Sequence, residues 1–477
     1  MSMRTLFLIL TLLTGFSSCL LAKVVFPSVL GDYMVLQQQV AVNLWGTSVP
    51  LKKVCVFTSW NQKTYTIKSD KDGNWNVKVQ TPAAGGPYKI IASDGERTEL
   101  NNILIGEVWL CSGQSNMEMP VRGFPGQPVD GAADLIAKAN PNNNIRFITI
   151  QRAASRSLLE NCKGEWEEST PETVGSVSAT AYWFAQYLHE VLQIPIGLIC
   201  ASWSGSKIQS WLNKETIQQF PEVSLKVLEM NEAEIRNHNA QPTLLYNAMI
   251  HPIRRYTMKG VIWYQGEGNR NEAKLYRKLF PAMVSSWRKE WGQGNFPFYY
   301  VQIAPFANGD QGGLDNAWLR QVQSDCLEFI PNAGMAVISD TGLPDCVHPS
   351  QKDKVGKRLA LWALAKTYYR KGTPYASPIF QMKEVKKHDV VVTFANAELG
   401  LTTYGQPLTG FELAGEDGNF HPAKAKIISG QNKVVITSEE VQCPLQVRFG
   451  FRNYQLINLY NTYGLPAAPF TTEVLQE

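Results

Sequence analysis

Between residue 23 and about residue 100 the apolar positions come in short alternating runs. Val54-Cys55-Val56-Phe57 and Thr64-Tyr65-Thr66-Ile67 are two of them, and Lys71-Asp72-Gly73-Asn74 and Ala84-Gly85-Gly86-Pro87 are the turn sequences that separate such runs. A period of two puts successive side chains on opposite faces of a strand, and Gly, Asn and Pro supply the turns. No helical period intervenes, so residues 23–100 predict a small antiparallel β-sandwich. From about residue 101 the pattern changes to continuous apolar runs at 103–111, 145–150, 196–201, 261–263, 298–303 and 335–339. Stretches of helical period lie between them. Ala181, Phe184, Ala185, Leu188, Val191 and Leu192 form one apolar stripe; Leu275, Leu279, Met283 and Trp287 form a second, with Pro281 predicting a kink or a restart. A third uses Val355, Leu359, Trp362 and Ala363, with Ser350 placed to cap its N-terminus. Strands alternating with helices over 101–372 predict a mostly parallel sheet covered on both faces. After residue 372 short strands return, at 390–394, 425–428, 433–437 and 447–451, punctuated by Gly410, Gly415, Gly418 and Gly430, so 373–477 predicts a second β-rich region.

The first 22 residues differ from everything after them. Arg4 is followed by the apolar run 6–13, too short to span a bilayer and of the length found in a signal peptide. Cleavage after Ala22 is expected, and with it export to a periplasmic or extracellular location. The alternative reading makes Cys19, after Ser17-Ser18, a lipidation site. No later segment is long and apolar enough to cross a membrane.

Composition narrows the function classes. With 44% hydrophobic and 18% charged residues the chain is an ordinary globular one, not a disordered or fibrous one. A net charge of +4 without a dense Lys/Arg block leaves no electrostatic footprint for nucleic acid. The eight cysteines include no C-x-x-C pair and the six histidines are widely spaced, which argues against a structural zinc site. Loss of Cys19 with the signal leaves seven, which cannot all pair; one or two disulfides are allowed. Cys111 and Cys200 lie in strand-like apolar runs and read as core residues.

In open α/β sheets ligands bind beyond the carboxyl ends of the strands, so the residues that follow each run are where chemistry is sought. After 103–111 comes Ser112-Gly113-Gln114-Ser115-Asn116-Met117; after 196–201, Ser202-Trp203-Ser204-Gly205-Ser206. After 261–263 comes Tyr264-Gln265-Gly266-Glu267-Gly268-Asn269, and after 335–339 the segment from Asp340-Thr341-Gly342 to Asp345-Cys346-Val347-His348. Singly, each reads as turn chemistry. Together, on one edge of one sheet, they offer a nucleophile, a base, an acid and oxyanion donors, the parts that acyl transfer needs.

The stretch from Gly106-Glu107-Val108-Trp109 through Ser112-Gly113-Gln114-Ser115-Asn116-Met117-Glu118-Met119-Pro120 resembles the nucleophile block of sialate O-acetylesterases, within the wider SGNH hydrolase group. Trp263-Tyr264-Gln265-Gly266-Glu267 and His348-Pro349, followed by Lys354-Val355-Gly356-Lys357-Arg358-Leu359-Ala360, resemble later blocks. Family-like segments open the chain at Phe26-Pro27-Ser28 and close it at Gly464-Leu465-Pro466-Ala467. The resemblance implies an SGNH-type, flavodoxin-like α/β fold and a serine esterase needing no metal or organic cofactor. Ser115 would attack the ester carbonyl and His348 would act as base and then acid. Asp345 would orient the imidazole in preference to Asp340. The backbone N–H groups of Ser115 and Gly205 and the side-chain amide of Gln265 would form the oxyanion hole. Ser204 and Gly268 depart from the family pattern, which more often has Gly and Ser there. Glu118 and Glu267 read as structural, bonding loop backbone. Trp203, Trp211 and Tyr264 flank these loops and are suited either to stack on a sugar or to pack in the core. The expected substrate is O-acetylated sialic acid, or else another acetylated glycan such as acetylxylan. A non-catalytic glycan-binding protein built on the two β regions is the alternative from another class.

Overall fold

The computed structural model describes residues 23–475; the expected signal segment 1–22 and Cys19 lie outside the described residues. The N-terminal strands are β1 (Val35–Gln37), β2 (Ala41–Thr47), β3 (Lys53–Thr58), β4 (Lys63–Lys68), β5 (Asn74–Gln80), β6 (Gly85–Ser93) and β7 (Arg97–Gly113). Strands β2 and β5 pair antiparallel, as do β3 with β4 and with β6. Their inward residues, Val42, Leu44, Val54, Val56, Val79 and Ile90, are all buried. Strand β7 is 17 residues long and half-exposed along its first few residues, then buried throughout. Its first part pairs with β6, and its second part, from Glu107 to Gly113, is the middle of the large sheet. The sequence-based division at residue 100 therefore falls inside a strand that both regions share.

The large sheet adds β8 (Ile145–Thr149), β9 (Trp166–Glu168), β10 (Ile196–Ser202), β11 (Gly260–Tyr264), β12 (Phe298–Val301) and β13 (Ala333–Ala336) in the order β13-β12-β11-β7-β10-β8-β9. Every neighbouring pair is parallel except β8 with β9. Alternate residues go to opposite faces. Trp109, Cys111, Leu198 and Ile262 pack against Phe184, Leu188, Val355 and Leu359; Val108, Leu110, Ile199 and Val261 lie in a core with Tyr276, Leu279, Met283 and Leu319. After the short helix α1 (Ser115–Glu118), α2 (Ala179–Leu192) and α5 (Lys352–Trp362) cover the first face, and α3 (Ala273–Trp291) and α4 (Asp315–Phe329) the second.

Local expectations fail where packing overrides them. Helix α3 runs unbroken through Pro281, since its apolar stripe is held against the sheet along its whole length. Helix α4 is not among the predicted helices. Ser350 is not the N-cap of α5; Gln351 is, without a side-chain cap, and the Ser350 carbonyl accepts instead from the N–H groups of Asp130 and Lys352.

Beyond residue 372 two four-stranded antiparallel sheets enclose a separate core of Val390, Val392, Phe394, Leu413, Val434 and Phe449. The seven cysteines among the described residues are all unpaired.

Candidate active site

Register brings the loops together. Gly113, the last residue of β7, sits opposite Ser202 of β10 on one side and Tyr264 of β11 on the other. Three chain segments thus leave the sheet at one level, at the point where the strand order departs from β7 in both directions, the usual place for a ligand in such a sheet. Ser115 is the first residue of α1, and Gly205 lies in the turn after β10. His348 comes from the long segment between β13 and α5.

Ser115, Gly205 and His348 line one cavity of about 640 Å³, together with Phe124, Gln127 and Phe306. The backbone N–H groups of Ser115 and Gly205 make no hydrogen bond among the described residues. Gly205 has φ +69°, a left-handed conformation that glycine adopts without strain. The His348 imidazole is half-buried. Its Nδ1 lies 2.6 Å from Gln127 Oε1, its Nε2 has no partner among the described residues, and the ring meets Phe124 edge-on at 5.2 Å. Burial, reinforced by the positive charge of Lys352, pulls its pKa down to about 4. No hydrogen bond joins Ser115 to His348; such contacts often tighten only when substrate binds.

Behind the serine lies a buried charged chain. Lys352 Nζ donates to Asn116 Oδ1 at 2.5 Å, and Asn116 Nδ2 donates to Glu267 Oε1 at 2.6 Å and to the Val347 carbonyl at 3.0 Å. Burial pushes the Glu267 carboxyl up and pulls Lys352 down to about 7. Asn116 thereby ties the nucleophile helix to the residue preceding His348. Glu118 accepts from the Ser204 N–H at 2.7 Å and from Arg152 Nε at 2.5 Å, fixing the turn that carries Gly205.

Three groups of expected site residues are placed differently. Asp345 is exposed and makes no hydrogen bond or ion pair among the described residues, where the imidazole Nδ1 is held by Gln127 and not by a carboxylate. Asp340 is spent on Arg358, at 2.6 and 2.8 Å, and on Lys354 at 3.5 Å; burial would raise its carboxyl, but these cations hold it below its ordinary value. Gln265 is fully buried and does not line the cavity. Its Nε2 donates to the Ser206 carbonyl at 3.1 Å and to Asn269 Oδ1 at 2.8 Å, so both amide hydrogens are engaged away from the serine. Of the three aromatic candidates, Trp211 and Tyr264 are fully buried, and the half-buried Trp203 packs against core side chains; none lines the cavity. Phe124 and Phe306 are the aromatic rings that do. Gln127, Phe124 and Phe306 carried no motif, and only the Gly/Pro-rich loop 123–128 hinted at a shaped turn. A larger cavity, about 850 Å³, borders the C-terminal β region, but its lining holds no serine, cysteine or histidine.

A family model described as "Carbohydrate esterase, sialic acid-specific acetylesterase" matches residues 105–365, the span that carries all of these loops. The chain belongs to this carbohydrate esterase family. A rat sialate O-acetylesterase is 27% identical over 94% of both chains, and the human one 29% identical over 76% of this chain and 75% of its own. The crystal structure of a carbohydrate acetylesterase from Xanthomonas citri superposes with a TM-score of 0.86 at 35% identity, covering 94% of this chain and all of that one. This carbohydrate esterase is accordingly a carboxylic ester hydrolase with a helix-flanked sheet and added β-rich regions. Ser204 and Gly268 both have structural roles. The Ser204 hydroxyl donates to Glu118, and Gly268 has no room for a side chain, since a Cβ there would lie 2.5 Å from the Ser206 carbonyl oxygen.

Proposed function

We propose that this protein is an exported serine esterase that removes O-acetyl groups from carbohydrate, with O-acetylated sialic acids as its first substrates. The carrying observation is the convergence on one cavity of Ser115, the unpartnered N–H groups of Ser115 and Gly205, and His348 with Nε2 free. The Ser115 hydroxyl attacks the acetyl carbonyl carbon as His348 Nε2 takes its proton. The developing oxyanion is received by the two N–H groups, the first of them at a helix N-terminus. The imidazolium then protonates the departing sugar oxygen, and water repeats the sequence in reverse to release acetate. Neutral imidazole is the form required, and the lowered basicity of His348 supplies it at any pH above about 4. The names of the relatives support sialate as substrate, and the Xanthomonas citri enzyme supports acetylated carbohydrate more broadly. Export rests on the pattern of residues 1–22.

Acetate release from O-acetylated sialoglycan, measured beside acetylxylan, tests the substrate. Faster hydrolysis of acetylxylan refutes the sialate assignment and leaves the esterase assignment standing.

A further inference from the structure

We infer that Gln127 is the positioning residue of the catalytic histidine, holding His348 through a neutral amide where a carboxylate would be expected. The inference rests on the esterase reading above. Gln127 Oε1 accepts from Nδ1–H at 2.6 Å; an oxygen acceptor there fixes the proton on Nδ1 and leaves the Nε2 lone pair for the serine proton. The loop that carries Gln127 is built for placement. Phe124 and Gln127 exchange backbone hydrogen bonds at 3.1 and 2.9 Å, closing a tight turn. The turn is tied down by the Asp130 N–H, which donates to the carbonyl of Ser350, two residues after His348, at 3.0 Å. Phe124 of the same turn packs its ring against the imidazole, so one loop grips the base both at its edge and on its flank.

Among the described residues no carboxylate bonds Nδ1. Among them Asp345 is exposed and without a hydrogen bond or ion pair, and Asp340 is engaged by Arg358 and Lys354; Glu267, on the cavity wall, gives Oε1 to Asn116 and keeps Oε2 buried without a partner, and neither of its oxygens bonds the imidazole. The other charged side chains around the site are Lys352, behind the serine, Arg270, on the cavity wall, and Glu118 with its partner Arg152, bonded to the turn that carries Gly205. When Ser115 Oγ bonds to the acetyl carbon, its proton passes to Nε2 and the ring becomes a cation whose Nδ1–H still points at the Gln127 oxygen. The proton next goes to the alkoxide oxygen as the acetyl C–O bond breaks, and the ring is neutral again. Throughout, the amide orients the ring without adding an anion. The base therefore stays weakly basic and remains unprotonated in acid, at the cost of a less stabilised imidazolium.

The test is the pH profile of kcat/KM for p-nitrophenyl acetate in wild type, Gln127→Ala, Gln127→Glu and Asp345→Asn, each with its thermal midpoint. Gln127→Ala lowers kcat roughly 10²-fold with little change in KM, as loss of ring orientation does in such sites. Gln127→Glu, nearly isosteric, retains turnover and moves the acid limb of the profile upward by about one pH unit or more, because a carboxylate against Nδ1 favours the imidazolium. Asp345→Asn stays close to wild type. The inference is overturned if Asp345→Asn abolishes turnover while Gln127→Ala does not, or if the Gln127→Glu acid limb stays at the wild-type position. The Gln127→Glu arm decides the matter even if the alanine variant fails to fold. Full activity in Ser115→Ala would sink the underlying esterase mechanism instead, so the two failures are distinguishable.

Discussion

Gln265 separates a catalytic from a structural account of one motif. Its place directly after a strand, beside the serine and histidine loops, suggests an oxyanion donor. Removing such a donor typically lowers kcat by about 10²–10³-fold. The structure assigns it other work. Gln265→Ala would delete donations to the Ser206 carbonyl and to Asn269 Oδ1 in a fully buried site. Asn269 Oδ1 keeps a second donor, the Ile208 N–H at 2.9 Å, so its loss is only the net value of one bond, about 1 kcal/mol. The Ser206 carbonyl is left without that partner, which costs about 1–3 kcal/mol for a buried acceptor. Against this, the Gln265 Oε1 atom is itself buried without a partner, and removing it relieves part of the penalty. The balance is a destabilisation of roughly 2–3 kcal/mol, in the ordinary range for breaking a buried polar network. Because Ser206 follows Gly205, a modest loss of turnover from loosening of that turn should accompany it, under about tenfold. The assay is kcat and KM on p-nitrophenyl acetate, normalised to folded protein, with a denaturant-unfolding curve on the same preparation. A kcat loss of about 10²-fold or more with unchanged stability would show that the amide reaches the oxyanion during turnover and would refute the structural assignment.

Ser115→Ala should leave unfolding unchanged and lower kcat by roughly 10³-fold or more, since a nucleophile and its base act as a unit; near-wild-type turnover in folded protein would end the serine mechanism. His348 is held down to about 4, below its ordinary 6.5, so the active base is present above that value and lost as pH falls through it. The kcat/KM profile should then be level from neutrality to about pH 5 and fall below it; a fall centred near 6.5 contradicts the burial argument. Asp340→Asn should destabilise by on the order of 3 kcal/mol, because it strands the buried Arg358 guanidinium, and should spare kcat per folded molecule. Loss of kcat without loss of stability would make Asp340, and not Asp345, the acid of the site.

Much of the architecture is written in local pattern. Two-residue alternation marks the terminal β regions, and continuous apolar runs mark the parallel strands at 103–111, 145–150, 196–201 and 261–263, all of which are strands in the structure. The position of Ser115 after the central strand, and of Gly205 after its neighbour, follows from those runs, because a strand buried on both faces must be apolar along its length and its first polar residues must emerge at its end. Elements whose signal is weaker went astray: helix α4 mixes polar residues into its buried face, with Asn316, Arg320 and Gln323 all buried there, and so shows little apolar stripe.

What only the tertiary structure decided is which polar group each site side chain meets. The family resemblance implied that Asp345 orients His348, yet the chain turns Asp345 to solvent, and the histidine is held by a glutamine 221 positions away. Asp340 is taken by an arginine on helix α5, and the Gln265 amide by a carbonyl 59 positions earlier. Hydrogen bonds act over about 3 Å and reward whichever donor or acceptor the packed backbone brings within reach. Hydrophobic periodicity is a property of consecutive residues and survives in the sequence; polar partnership is a property of the folded surface, set only once the helices and loops have docked on the sheet.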